Sequence, residues 1–390
     1  MISKVIIKKC EEYNYETIRQ LLEVSFKELA IENEIPRGGK VFIKVNNLLT
    51  VPPERAVTTH PLVLKAVIAY VKQFTDGIIV GDDVNEMIDG DEPFVSSGFK
   101  AVCDEMGVRL LNLKYDERVH VTIKGGVRFK KAISMRTVVS ADYFINLPKM
   151  KTHQLTLFTG AIKNLYGIMP FGQKVSIHKN NAGFNDFKQA VVDVYSMKRP
   201  DLNVMDAVIG MEGEGPSGGP ARTIGYLMIS RDGVSMDAVC ENMIGLRAEH
   251  GLVSHMAAER GLGIADLAEI DLGGVALEEL KLKDFKLPKS AFSQRNTPNW
   301  ILNIIFSLLV PRPVIDHGVC KRCGACIQHC PKDTIKMEKG KVIIHYDNCI
   351  RCFCCQELCS FKAIRAEQNV IGKVLLALHR FIGKIKARKK

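Results

Sequence analysis

The sequence predicts an α/β domain with a mostly parallel sheet and helices on both faces, followed by a small cysteine-rich α+β domain. Three observations predict it. Short apolar runs alternate with amphipathic stretches of helical period from the N-terminus to about residue 290, the pattern of parallel strands joined by crossover helices. Polar residues gather just after the apolar runs. Nine of the twelve cysteines fall between Cys320 and Cys359, eight of them in two copies of one spacing.

The elements follow in order. Val5–Lys8 reads as a strand, and Met1–Lys9 has neither the apolar core nor the small-residue cleavage site of a signal peptide. A helix is expected from Tyr15 to Ile31, where Ile18, Leu21, Leu22, Phe26 and Leu29 recur at helical spacing. Val41–Val45 is a continuous apolar run suited to a buried parallel strand. Thr58-Thr59-His60-Pro61 leads into a helix from Leu62 to Gln73. The unit repeats as a strand at Gly77–Val80, a helix at Val95–Met106 and a strand at Arg109–Leu113. Further strands are expected at Ala141–Leu147, Leu202–Asp206 and Gly225–Ile229, with helices at Phe184–Lys198 and from Ser235.

In open parallel sheets, ligands bind outside the carboxyl ends of the strands. Lys44 and Asn46, Asp82 and Asp83, Lys149, Lys151 and His153, and Asp206 all stand at such exits. The loop from Leu147 to His153, with Thr159–Gly167 behind it, adds Lys163, Asn164 and glycines with open backbone amides. That set suits a small anionic ligand held by Lys44, Lys149, Lys151 and Lys163 with Asn46, Asp82 and Asn164; a solvated basic loop has the same composition. His153 is the expected proton carrier, although a structural histidine fits the same place. Glu212 and Glu214, in the Gly- and Pro-rich run Met211–Pro220, are the other acid/base candidates. No GxxxxGK[ST] and no GxGxxG after a strand is present, so neither a Walker loop nor a nicotinamide site is expected.

The cysteines carry the sharpest signal. The first run is Cys320-x2-Cys323-x2-Cys326-x3-Cys330-Pro331 and the second Cys349-x2-Cys352-x2-Cys355-x3-Cys359. Three thiolates at x2 spacing reach one inorganic core, and in two-cluster ferredoxins the last cysteine of each run serves the other cluster. Two [4Fe–4S] clusters are therefore expected, one on Cys320, Cys323, Cys326 and Cys359, the other on Cys349, Cys352, Cys355 and Cys330. Zinc sites favour paired CxxC or mixed Cys/His ligands, and disulfide frameworks belong to small secreted domains. Ser360 stands where the first run has Pro331, and Cys354 is a spare thiol.

The net charge of +11 is uneven: residues 366–390 hold seven Lys/Arg and one Glu. That concentration argues against nucleic acid, which calls for a basic face on a folded domain. The division expected is an α/β domain over 1–290, a linker with an apolar segment over 291–313, a ferredoxin-like domain over 314–366 and a basic amphipathic helix over 367–390. Trp300–Val310 is apolar but too short to span a bilayer, which takes about twenty residues. The last helix either packs on that segment, showing its basic face to an acidic partner, or lies on a membrane surface. Cluster chemistry favours a reducing compartment, so a cytoplasmic protein is expected, with peripheral contact at the inner face of the membrane if the tail binds lipid.

The runs Lys44-Val45-Asn46, Thr58-Thr59-His60-Pro61, Leu147-Pro148-Lys149-Met150-Lys151-Thr152-His153, Thr159-Gly160-Ala161-Ile162-Lys163-Asn164 and Met211–Pro216 resemble the domain of unknown function 362 family. Many of its members carry the same double ferredoxin module. The resemblance implies an iron–sulfur protein with an α/β domain and supplies no catalytic residues. The expectation is a redox protein passing electrons between a partner protein and a small ligand in the α/β domain. A carrier or docking protein without chemistry of its own, or a non-redox enzyme with structural clusters, fits the same sequence.

Overall fold

The computed structural model describes residues 2–84, 91–171, 173–174, 177, 184–288, 312–328, 330, 332–349 and 354–367. The chain divides into two compact units, Met1–Pro288 and Lys289–Lys390. His178, Trp300–Val310, Pro331, Cys352 and the basic tail beyond Glu367 lie outside the described residues.

The first unit contains β1 (Ser3–Lys4), β2 (Ile6–Lys9), β3 (Val41–Lys44), β4 (Ile78–Asp82), β5 (Arg109–Asn112), β6 (Arg118–Thr122), β7 (Lys131–Met135), β8 (Tyr143–Asn146), β9 (Lys149–His153), β10 (Leu157–Thr159), β11 (Leu202–Met211), β12 (Ala221–Ser230) and β13 (Ile270–Asp271). Nine of these form one sheet. Its path runs β10-β9-β11-β8-β3-β4-β5, with β12 also on β11 and β2 on β12. The pairings among β5, β4, β3, β8, β11 and β9 are parallel, and β10, β12 and β2 join antiparallel.

Alternation along the strands divides the core. Val41, Ile43, Ile78, Val80, Tyr143 and Ile145 pack with Ile18, Leu22 and Phe26 of the helix Tyr15–Glu28 and with Val63, Leu64 and Val67 of the helix Pro61–Val71. Phe42 and Phe144 alternate to the opposite face, where their rings meet at 5.5 Å. Both faces are covered, which is why the parallel strands read as unbroken apolar runs.

The structure departs from the sequence reading at particular places. The helix expected over Val95–Met106 is two helices, Glu92–Ser96 and Phe99–Met106, separated at Gly98, whose φ of +79° suits glycine alone. Lys149–His153, read as an exit loop, is β9, turned back through β10. Pro148 has no N–H to offer the ladder. The chain therefore leaves β8 at Leu147, and only the Pro148 carbonyl stays in the sheet, accepting from Asp206 N at 2.9 Å. As a result one long strand, β11, pairs first with β8 and then with β9. The β6–β7 hairpin had no counterpart in the sequence reading.

The second unit contains β14 (Arg312–Ile315), β15 (Ile335–Glu338), β16 (Lys341–Ile344) and β17 (Ile364–Glu367). Each cysteine run lies between two strands and carries a short helix, Ala325–Gln328 in the first and Cys354–Glu357 in the second. β14 pairs with β17 and β15 with β16, both antiparallel, so the two repeats close on each other. Ile335, Val342, Ile344 and Ile364 form a small core with the cysteines packed around it. No described helix is long and apolar enough to cross a membrane.

Candidate functional site

Parallel registry brings the strand-exit charges together in pairs. Lys44 ends β3 opposite Gly81 of β4, so its Nζ reaches Asp82 Oδ1 at 2.7 Å and donates to Val45 O at 2.8 Å. The other oxygen of Asp82 accepts from Asn47 N at 2.7 Å. Gly167 lies directly against this pair: a Cβ there would sit 2.5 Å from Asp82 Oδ1 and 2.7 Å from Lys44 Nζ. Burial pushes the Lys44 ammonium toward neutrality, and Asp82 pulls it back. Lys174 similarly holds Asp83, at 2.7 Å.

A second pair is built on β9 and β11, where Lys149 stands opposite Asp206. Lys149 Nζ lies 2.8 Å from Asp206 Oδ2, and both groups are fully buried. The remaining lone pairs of Asp206 are used as well. Tyr13 OH donates to Oδ1 at 2.8 Å, His60 N to Oδ2 at 2.8 Å and Val208 N to Oδ1 at 3.3 Å. Lys149 also donates to Tyr13 OH at 2.7 Å. Tyr13 lies flat on the half-buried His60 ring, centroids 3.6 Å apart. His60 caps the helix Pro61–Val71 by accepting from Leu62 N through Nδ1 at 3.2 Å. Burial lowers its pKa to about 4, so the ring is neutral at pH 7. Burial also lowers the Lys149 pKa and raises that of Tyr13.

Between the pairs runs a ladder of amides. Asn164 Nδ2 donates to Asn146 Oδ1 at 2.8 Å, and Asn146 Nδ2 donates to Asn203 Oδ1 at 2.9 Å. Asn164 Oδ1 and both side-chain polar atoms of Asn47 are buried without a hydrogen-bond partner among the described residues. Buried polar atoms are rarely left so. They stand on and against the segment leaving β3, where a water, an ion or a ligand's polar group would satisfy them.

The predicted site residues therefore sort differently from the sequence reading. Lys44, Asn46, Asp82, Lys149, Lys151 and Asn164 do gather at the strand ends. Lys44 and Lys149 are neutralised by carboxylates, however, rather than presented to an anion. Lys151 Nζ donates to Asn46 Oδ1 at 2.6 Å and Val57 O at 2.7 Å. Lys163 is directed elsewhere, its Nζ 4.4 Å from the Tyr166 ring centroid and 5.8 Å from that of Phe187. His153 serves the β9–β10 turn. Its Nδ1 accepts from Leu155 N at 3.0 Å and Thr156 N at 3.2 Å, so that lone pair is not available to a substrate proton. Glu212 is held as a carboxylate: Arg222 at 2.7 Å and Lys286 at 3.2 Å outweigh the upward push of burial and keep its pKa below the ordinary carboxylate range. Glu214 accepts from Gln154 Nε2 at 2.8 Å, bracing the loop onto β9. Tyr13 was missed because it follows no strand exit. His60 was passed over, although a histidine before Pro61 at a helix start was the available signal.

In the second unit, Cys320, Cys323 and Cys326 of the first run and Cys359 of the second line one cavity, walled by Ile315, Val342, Phe361 and Ile364. Burial, with the repulsion of the neighbouring Cys359, Cys323 and Cys320 sulfurs, raises the Cys326 pKa to about 11. The sulfurs surround a hollow without closing on a point: among the described residues no three His, Cys, Asp or Glu side chains are grouped to hold one metal ion. Soft thiols around an apolar hollow fit an iron–sulfur cluster. Cys330, Cys349 and Cys355 pack around the same small core. Backbone N–H groups point at the closing cysteines, Thr334 N to Cys330 Sγ at 3.3 Å and Ala363 N to Cys359 Sγ at 3.2 Å.

Comparison with known proteins agrees with both halves. The 4Fe-4S dicluster domain family matches residues 312–360. A thylakoid-associated protein of Synechocystis is 27% identical over 298 residues, 74% of this chain and 89% of that protein. An uncharacterized ferredoxin of Methanocaldococcus jannaschii is 32% identical over 56 residues, 14% of this chain and 90% of that protein. The lactate racemase apoprotein of Thermoanaerobacterium thermosaccharolyticum superposes with a TM-score of 0.38 at 12% identity, over 61% of this chain and 56% of that one. The cysteine-rich unit is thus a ferredoxin-type electron-transfer domain with two [4Fe–4S] clusters. The Domain of unknown function family (DUF362) matches residues 41–242, more than half of the chain, and the protein belongs to that family.

Proposed function

We propose that this chain is an iron–sulfur redox protein that exchanges electrons with a protein partner and delivers them to a small polar ligand at the carboxyl ends of β3, β4 and β8. Cys320, Cys323, Cys326 and Cys359 hold one cluster; Cys349, Cys352, Cys355 and Cys330 hold the other. Each cluster supplies one-electron transfer. The observation that supports this most is the arrival of Cys359, from the second run, in the cavity of the first run's three thiols. A cross-run quartet is the two-cluster ferredoxin arrangement.

In the α/β unit the ligand meets amides more than bare cations. Asn47 offers a donor and an acceptor and Asn164 an acceptor, all buried and unpartnered among the described residues. Lys44 and Lys149 are already balanced by Asp82 and Asp206, and Lys151 is spent on Asn46 and Val57 O. This set favours a molecule with hydrogen-bond donors as well as acceptors, and any negative charge on it is a secondary feature. Protons are handled by Lys149, Tyr13 and Asp206, an unbroken hydrogen-bonded chain beside the half-buried His60.

The test is anaerobic. The protein is reduced with its clusters intact, and their visible and electron-paramagnetic-resonance signals are followed as pools of small metabolites are added. Reoxidation by one pool, lost in Asn47→Leu and Asp206→Asn, is the expected result. Reoxidation by no pool but by a redox protein overturns the catalytic part and leaves an electron carrier. That second reading has its own support in the likeness to a ferredoxin of Pyrobaculum islandicum, 39% identical over 54 residues, 14% of this chain and 50% of that one.

A further inference from the structure

The two cysteine runs share one backbone plan, and one side chain breaks the match. Cys330 and Cys359 close the runs. Four residues on, Thr334 and Ala363 lead into β15 and β17. Asp333 and Lys362, just before them, both take a left-handed φ, 52° and 55°. In both repeats the backbone N–H at the fourth position points at the closing sulfur, at 3.3 Å in the first and 3.2 Å in the second. Only the first adds a side-chain group: Thr334 Oγ1 lies 3.2 Å from Cys330 Sγ. Thr334 is 5% exposed, so water does not compete strongly for its hydroxyl. Ala363 occupies the matching place with a methyl group. A metal-bound thiolate carries no proton, so the hydroxyl is the donor.

We propose that Thr334 separates the potentials of the two clusters, by making the one held by Cys349, Cys352, Cys355 and Cys330 easier to reduce. This rests on the ligand assignment given above. One added electron puts more negative charge on the ligand sulfurs. A donor aimed at one of them stabilises the reduced state more than the oxidised state, and hydrogen bonds to sulfur are an established lever on cluster potential. The low dielectric of a buried site strengthens that bond. Each closing sulfur takes the fourth-position N–H, but Cys359 draws also on the Phe361 and Ile364 amides, so the hydroxyl is isolated by substitution at Thr334 rather than by comparing the two repeats.

The experiment is a potentiometric titration of the full chain, anaerobic and fully loaded with iron, read by electron paramagnetic resonance. Wild type is compared with Thr334→Val, Thr334→Ser and Ala363→Thr. Thr334→Val is expected to lower one midpoint and leave the other. The expected change is roughly three- to tenfold in the reduction equilibrium, about 30–60 mV at 59 mV per tenfold for one electron. Thr334→Ser keeps the hydroxyl and is expected to keep the wild-type midpoint, while Ala363→Thr raises the other one. Both midpoints unmoved in Thr334→Val at full iron content overturns the proposal. If Thr334→Val fails to load, Ala363→Thr decides, and an unmoved midpoint there overturns it equally. Cys330→Ser tests the ligand assignment separately: unchanged iron content and spectrum would defeat that assignment, whatever the threonine does.

Discussion

Asp206 is the residue on which the α/β unit's polar centre depends, and replacing it by Asn gives a sharp test. Its carboxylate accepts from four donors: Lys149 Nζ, Tyr13 OH, His60 N and Val208 N. An amide keeps one oxygen but turns an NH2 toward two of those donors, whichever way it is flipped. Lys149, fully buried, then loses its only carboxylate partner among the described residues. Breaking a buried pair in this way costs about 3–5 kcal/mol. The reverse change, Lys149→Met, leaves Asp206 with three donors in place, and the expected cost is nearer 1–3 kcal/mol. The asymmetry between the variants is the prediction. Denaturant unfolding followed by circular dichroism measures it, with cluster absorbance reporting on the other unit. The double variant is expected to lose less than the sum, because the two residues share one interaction. If Asp206→Asn costs no more than Lys149→Met, Asp206 is not the hub and the reasoning fails.

Three other predictions follow from the same geometry. Cys359→Ser is expected to abolish the same resonance signal as Cys323→Ser, although the two lie in different runs; loss of different signals would contradict the cross-run quartet. Folding lowers the His60 pKa from about 6.5 to about 4, so the unfolded chain takes up the proton first as pH falls. His60 thus contributes stability above pH 6.5 that is lost on the way down to pH 4. Discounted for the ring's partial exposure, the loss is about 1–2 kcal/mol. His60→Asn, which keeps the helix cap, should flatten that part of the stability–pH curve, and an identical slope would count against it. Gly167→Ala forces a methyl group between Lys44 and Asp82. The expected destabilisation is about 2–4 kcal/mol, and a wild-type melting temperature would show that the turn simply shifts.

Local chemistry was readable where its partners are close in sequence. The x2 spacings put three sulfurs of a run on one core. The alternation of apolar runs with helical periods set the sheet's class, because both depend on neighbours a few residues apart. Pro148 was visible too, yet its consequence was not. Whether a proline ends a strand or only interrupts it depends on what lies alongside, here the ten-residue β11, which pairs on both sides of the break.

Charge pairing is the clearest case of what only the tertiary structure decided. A lysine at a strand exit looks the same in sequence whether it greets a ligand or a carboxylate on the next strand. Parallel registry set Lys44 beside Asp82 and Lys149 beside Asp206, across 38 and 57 positions of chain. The loop after β2, a strand that joins antiparallel on β12, carried Tyr13 from 193 positions away onto Asp206. By itself the sequence determined the ferredoxin domain, its cysteines and the parallel sheet. Which charges cancel and which buried amides lack a partner among the described residues was decided by folding, because electrostatic partners are chosen by distance in space and leave no fixed spacing along the chain.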